Sequence, residues 1–135
     1  MPSILLPISL ASAAAAALIN LWLALRIAPF RGTKGVQVGH GDDPRLEARM
    51  RAQANFIEYT PIVLILIVLI EFAKGSPPWL WVVAAAYMVG RILHPFGMDG
   101  WRPGRGAGIG LTFLILVGLA VYAASLAFSA GNALR

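Results

Sequence analysis

In the segment "RAQANFIEYTP" (51–61), Arg51, Asn55, Glu58 and Tyr59 stand at i, i+4, i+7 and i+8, so a helix there places all four on one face. At the helical rise per residue, Glu58 lies about 10 Å along the axis from Arg51. Tyr59, Thr60 and Pro61 follow, and then the apolar run "IVLILIVLI" (62–70). A carboxylate this deep in an apolar segment is costly unless it faces protein or a water-filled cavity. Pro61 has no N–H and frees the Ile57 carbonyl from its helical bond, right beside Glu58. A guanidinium, an amide and a carboxylate on one stripe suit two kinds of chemistry. One is a buried ion pair holding helices together, and the other is a cavity that recognises a charged polar ligand.

The elements that position this stripe follow from composition. The chain has 135 residues, of which 59% are hydrophobic and 13% charged, about half the charged share of a soluble domain. Its mean hydropathy is +0.74. A domain of this size cannot bury that much apolar surface in one core, so the surrounding solvent is lipid. Disorder, a collagen-like fibre and a secreted disulfide scaffold are excluded on the same grounds. There is no cysteine, hence no disulfide, no thiolate metal site and no cysteine nucleophile. Any thiol chemistry must arrive with the substrate.

Four apolar stretches predict an all-α membrane four-helix bundle in one domain over 1–135, with helices at about 4–27, 44–73, 78–97 and 105–129. The first begins at Ile4 and contains the small residues "ASAAAAA" (11–17), but no basic residue precedes it and the apolar run continues past the alanines. It therefore reads as a spanning helix rather than a signal peptide. Asp43 and Pro44 form a helix-start signal for the second helix. Nine of the eleven basic residues fall around loops one and three, while Lys74 and Arg135 fall on the opposite side. That asymmetry predicts cytoplasmic loops one and three, with both termini outside. It also accounts for the net charge of +5, so nucleic-acid binding is not called for.

The third stretch has only twelve apolar residues, Trp79 to Gly90, before Arg91, too few to span. The helix must continue through Arg91 to about His94, which puts Arg91 at a depth similar to Glu58. A buried Glu58–Arg91 pair with Asn55 and Tyr59 as interhelical glue is one reading, and a polar ligand cavity open to the cytoplasm is the other. A proton or ion pathway is weaker, because Glu58 reads as the only deep carboxylate. His40 and His94 have no third ligand at metal spacing, so no metal is expected. Neither a Ser–His–Asp set nor paired carboxylates exist for hydrolysis. "GRGAGIG" (104–110) has small-xxx-small spacing that permits close helix packing. Asn20 reads as an interhelical hydrogen-bond donor, and Trp79, Trp81 and Trp101 as interfacial aromatics.

Arg51, Gln53, Asn55, Glu58, Tyr59 and Pro61 together resemble the helix-two motif of the MAPEG family, the membrane-associated proteins in eicosanoid and glutathione metabolism. "GRILHPFG" (90–97) and the basic first loop extend the resemblance over most of the chain, in the manner of a bacterial member. It implies a homotrimer in the cell membrane, the inner membrane in a Gram-negative host. Glutathione would lie between neighbouring subunits as co-substrate, and a lipophilic second substrate would reach its thiol along a lipid-facing groove. Arg51, Asn55, Glu58 and Tyr59 become glutathione ligands by that resemblance, with Gln53 and either Arg26 or Arg31 contributed by a neighbour. Arg105 is the positional match for the family's thiolate-stabilising arginine, with Arg102 as the alternative. His94 and Met98 stand where the family often has tyrosines, and His94 can still donate a hydrogen bond. "WRPGRG" (101–106) brings a proline and two glycines where the family's arginine sits on regular helix.

The expected function is a glutathione-dependent membrane enzyme that conjugates glutathione to lipophilic electrophiles or reduces lipid hydroperoxides. The alternatives are a non-catalytic lipid-binding protein and a structural bundle built on a Glu58–Arg91 pair. The family's lipid-binding member departs from the arginine and Glu-Tyr pattern that Arg51, Glu58 and Tyr59 keep.

Overall fold

The computed structural model of the chain describes residues 5–133. The expected first residue of helix one, Ile4, and Arg135 lie outside the described residues. Four helices follow in order: α1 (Pro7–Lys34), α2 (Pro44–Lys74), α3 (Pro78–Met98) and α4 (Arg102–Ala133). Each is long and apolar enough to cross a membrane. The protein is an all-helical multi-pass membrane bundle.

α1 runs seven residues past its expected end at 27, because the first glycine of the loop does not stop it. Gly32 sits in the helix, and the stop comes at Gly35, whose φ of +65° is the left-handed conformation that favours glycine. The Gly35 and Val36 N–H groups then both donate to the Arg31 carbonyl. α2 is capped by Asp43, whose carboxylate accepts from the N–H of Arg45 at 2.9 Å and of Leu46 at 3.4 Å. α4 starts at Arg102, three residues before the expected 105. Pro103 falls in its first turn, where the backbone N–H has no helical partner to lose. "WRPGRG" is therefore regular helix from Arg102 onward, and Arg105 stands on it.

α2 and α3 form the middle of the bundle and pack on each other and on both other helices. Among the described residues α1 and α4 do not touch. The core gathers Leu23, Phe56, Val63, Ile67, Leu80 and Tyr87 from the inner faces. Outward faces carry exposed Leu18, Leu21, Ile62, Leu69, Leu114 and Val117, as expected where the partner is lipid. α3 and α4 make the closest pair. A Cβ on Gly108 would stand 2.8 Å from the Gly90 carbonyl, and one on Gly104 would strike the Trp101 ring. The small residues of 104–110 thus let two backbones meet.

One charged residue holds the far end of the bundle together. Glu71, 1% exposed, accepts from the N–H of Ile8 (2.9 Å) and Ser9 (2.8 Å) and from the hydroxyls of Ser9 and Ser76 (both 2.6 Å). The cap residue of α1, Leu6, offers no side-chain acceptor. A carboxylate from α2 therefore caps α1, satisfying free N–H groups and complementing the positive end of its dipole.

Candidate functional site

At the basic end of the bundle, α2, α3 and α4 enclose a cavity of about 250 Å³. Arg51, Asn55 and Glu58 line it from α2, His94 and Met98 from α3, and Arg105 from α4. Ala54 and Ile109 complete the wall. Five of the candidate site residues, Arg51, Asn55, Glu58, His94 and Arg105, thus converge from three helices. Arg105 reaches the cavity because Gly97 lets α4 lie directly on α3 at that point. Arg102, exposed at the first residue of α4, is not part of the lining.

The polar groups differ in how far they are already engaged. Arg51 is exposed and its Nε donates to Glu47 Oε1 at 3.0 Å, one turn back on α2. Such an exposed pair contributes well under 1 kcal/mol, so it exchanges readily for a better anion. Glu58 is exposed on the flank and makes no hydrogen bond or ion pair among the described residues. His94 is 3% exposed and its Nδ1 has no partner. Tyr59 is half-buried with its ring edge-on to Phe113 of α4, 5.6 Å between centroids, and is not part of the cavity lining.

The Glu58–Arg91 pair is not formed. Arg91, 1% exposed, instead donates to Asn55 Oδ1 at 2.8 Å and to Thr112 Oγ1 at 3.2 Å. Arg91 is sealed inside the bundle, whereas Glu58 is an exposed residue of the cavity wall. Nor is Glu58 the only carboxylate within a span, since Glu71 is the buried one. The buried Thr112 was not legible as a partner, because a threonine in an apolar helix commonly bonds its own backbone. It does so here, donating to the Gly108 carbonyl at 2.7 Å while accepting from Arg91.

Gln53 and Arg31 lie elsewhere, in a separate groove of about 410 Å³ between α1 and α2. Gln53 Nε2 donates to Asn20 Oδ1 at 3.5 Å, so Asn20 accepts this interhelical bond where a donor was expected. Arg31 donates to the Gln37 carbonyl at 2.6 Å and faces the Met50 sulfur at 3.6 Å. Arg26 joins neither cavity: it pairs with Asp99 at the end of α3 and lies over the Trp22 ring, 5.0 Å from its centroid. Arg49 approaches the same Asp99 at 3.7 Å and donates to the Arg26 carbonyl at 2.8 Å. That cluster ties three helix ends together and had no signature in the sequence.

Chemically, the α2–α3–α4 cavity offers two guanidinium groups, an amide, an imidazole and a free carboxylate. Among the described residues there is no group of side chains that could hold a metal ion, and the chain contains no cysteine. Two guanidinium groups set against one carboxylate are complementary in charge to a ligand that carries more than one anionic group and a cationic one. No curated protein matches the chain. A family model described as the MAPEG family matches residues 9–125, which include every residue named above for the cavity and the groove. The protein therefore belongs to the MAPEG family, the membrane proteins of eicosanoid and glutathione metabolism.

Proposed function

We propose that the protein is a glutathione-dependent enzyme that conjugates glutathione to lipophilic electrophiles or reduces lipid hydroperoxides with it. The observation that carries this reading is the charge set of the cavity. Glutathione has two carboxylates and one ammonium, and the cavity sets Arg51 and Arg105 against Glu58. Arginine grips a carboxylate with two parallel donors, and a free carboxylate takes an ammonium. Tyr59 takes its place among the ligands in this reading once glutathione extends along α2.

The chain acts as a homotrimer, with glutathione held between neighbours. Support comes from the two flanks of α2: the Arg51–Asn55–Glu58 face lines one cavity, and Gln53 lines the groove on the other side with Arg31. Side-by-side packing around a three-fold axis brings one subunit's groove to the next subunit's cavity. Arg31 rather than Arg26 is then the neighbour's cation, since Arg26 is engaged by Asp99. Loops one and three face the cytoplasm, by the excess of basic residues there.

Arg105 stabilises the thiolate. A cation close to sulfur lowers a thiol pKa from about 8.5 toward neutrality, and the proton leaves to water through the open mouth of the cavity. The thiolate then attacks the electrophile, forming the carbon–sulfur bond and expelling the leaving group or taking up a proton after addition. With a hydroperoxide it attacks the terminal oxygen and breaks the O–O bond, giving a sulfenic acid and an alkoxide that takes a proton from water to become the alcohol. A second glutathione condenses with the sulfenic acid to the disulfide and water. No protein side chain becomes covalently bound, and the rate comes from proximity and electrostatic stabilisation.

Non-catalytic lipid binding is the second reading. It is favoured by an apolar groove of about 480 Å³ between α3 and α4, lined by Trp79, Val83, Leu114, Leu119 and Tyr122. Calorimetric titration of the purified trimer with glutathione separates the two. Saturable binding supports the enzyme, and lipid retention without glutathione binding supports the alternative.

A further inference from the structure

Arg91 is a guanidinium sealed inside the bundle with no carboxylate within ion-pair distance among the described residues. A buried unpaired cation in a membrane-spanning helix is costly, and residues of this kind face a functional site by default. Its contacts form a chain in which every direction is forced. Arginine has only donors, so it donates to Thr112 Oγ1, and Thr112 in turn gives its own proton to the Gly108 carbonyl. Arg91 also donates to Asn55, so the atom of the Asn55 amide that faces it must be the oxygen. The remaining polar atom of Asn55 is Nδ2, which can only donate. Asn55 also lines the cavity with Arg51, Glu58 and Arg105.

We propose that Arg91 is a positioning residue that fixes the donor polarity of the cavity by holding the Asn55 amide with its oxygen inward and its NH₂ toward the ligand. The inference rests on the glutathione reading of the same cavity. It assigns Asn55 an acceptor on the ligand, a carboxylate or amide carbonyl, and leaves Glu58 as the cavity's anionic acceptor for the ligand's ammonium. An amide without such a partner presents either end, and would discriminate weakly between acceptor and donor groups. Arg91 itself reaches no ligand; its guanidinium stays behind Asn55, over the Phe56 ring at 5.5 Å. The fixed amide and the positive charge behind it both favour an anionic ligand group at this wall.

The decisive variant is Asn55→Asp. A carboxylate keeps the acceptor for Arg91, so the folded trimer is retained, while the donor to the ligand is lost. On the proposal, glutathione binds Asn55→Asp at least tenfold more weakly than wild type and no better than Asn55→Ala. If Asn55 instead presented its oxygen to the ligand, Asn55→Asp would bind at least as well as wild type, and the proposal is overturned. A second test uses Arg91→Gln, whose own amide accepts either orientation of Asn55. Glutathione affinity should fall several-fold, and the fall should vanish in an Asn55→Ala background, because there is no amide left to orient. Additive losses would show that Arg91 acts through the general stability of the bundle, and would overturn the proposal. Should Arg91→Gln not assemble, the comparison of the two Asn55 variants stands alone. Wild-type protein that binds no glutathione fails the parent reading and this inference together. Wild-type binding with full-affinity Asn55→Asp fails only this inference.

Discussion

Gly97 of α3 lies against the backbone of Arg105 in α4 so closely that a methyl group on Gly97 would overlap the Arg105 amide nitrogen. This contact sets where the arginine enters the cavity. The neighbour is backbone of a packed helix, which cannot move aside as a flexible side chain would. Gly97→Ala should therefore push α4 outward at a cost of about 1–3 kcal/mol, the usual range for overpacking. The melting temperature should fall, and glutathione should bind with a smaller thiolate fraction. An unchanged melting temperature and thiolate signal would show that the α3–α4 contact does not control Arg105.

Arg105→Ala should leave glutathione bound but abolish the lowered thiol pKa, read from the pH dependence of thiolate absorbance. Loss of a nearby cation moves the apparent pKa upward, so the signal at neutral pH disappears and returns only in alkali. Arg102→Ala should change neither quantity, since Arg102 is not part of the cavity wall. The reverse pattern would transfer the role to Arg102.

Glu58→Gln should weaken glutathione binding by about tenfold to a hundredfold, the range for a hydrogen bond to a charged group. Because Glu58 makes no ion pair among the described residues, the variant should assemble and melt as wild type. A large stability loss with unaltered affinity would restore a structural role for this carboxylate.

Glu71 is the opposite case. Its carboxylate meets four donors, and Glu71→Gln turns one acceptor oxygen into an NH₂ group facing N–H and O–H. The variant should lose about 1–3 kcal/mol of stability. Hydrogen exchange should quicken at Ile8 and Ser9, the amides it caps, while glutathione affinity stays the same. Slow exchange at both amides in the variant would mean that the cap contributes little.

How much of the fold and the cavity is legible in the sequence depends on whether a feature is local. The α2 stripe follows from helical periodicity, which is why Arg51, Asn55 and Glu58 appear together in both the sequence and the cavity. The length shortfall of the third apolar stretch likewise forced Arg91 and His94 into the helix. What periodicity cannot supply is rotation of one helix against another. A shared depth suggested pairing Glu58 with Arg91, yet a modest turn of α2 about its axis gives Arg91 the Asn55 amide and leaves Glu58 on the flank. Glu71 has no signature of its own because it directly follows the apolar run 62–70 and stands three residues before Lys74, where an acid normally reads as an interfacial end of a span. The missing signal was on another helix: α1 opens with Pro-Ile-Ser and no cap, so its amides needed an acceptor from elsewhere. Helix ends were blurred by glycine for a related reason. Gly32 and Gly35 look alike in sequence, and only the positive φ of Gly35 marks the stop.

The most direct test of the proposed function is to titrate the trimer, in detergent or lipid nanodiscs at neutral pH, with glutathione while following the ultraviolet absorbance of the thiolate. The expected result is a saturable thiolate signal that reaches a fixed stoichiometry, persists in Arg102→Ala and is lost in Arg105→Ala. Absence of saturable binding by wild-type protein, with no thiolate signal at any glutathione concentration, would contradict the proposal that this cavity binds and activates glutathione.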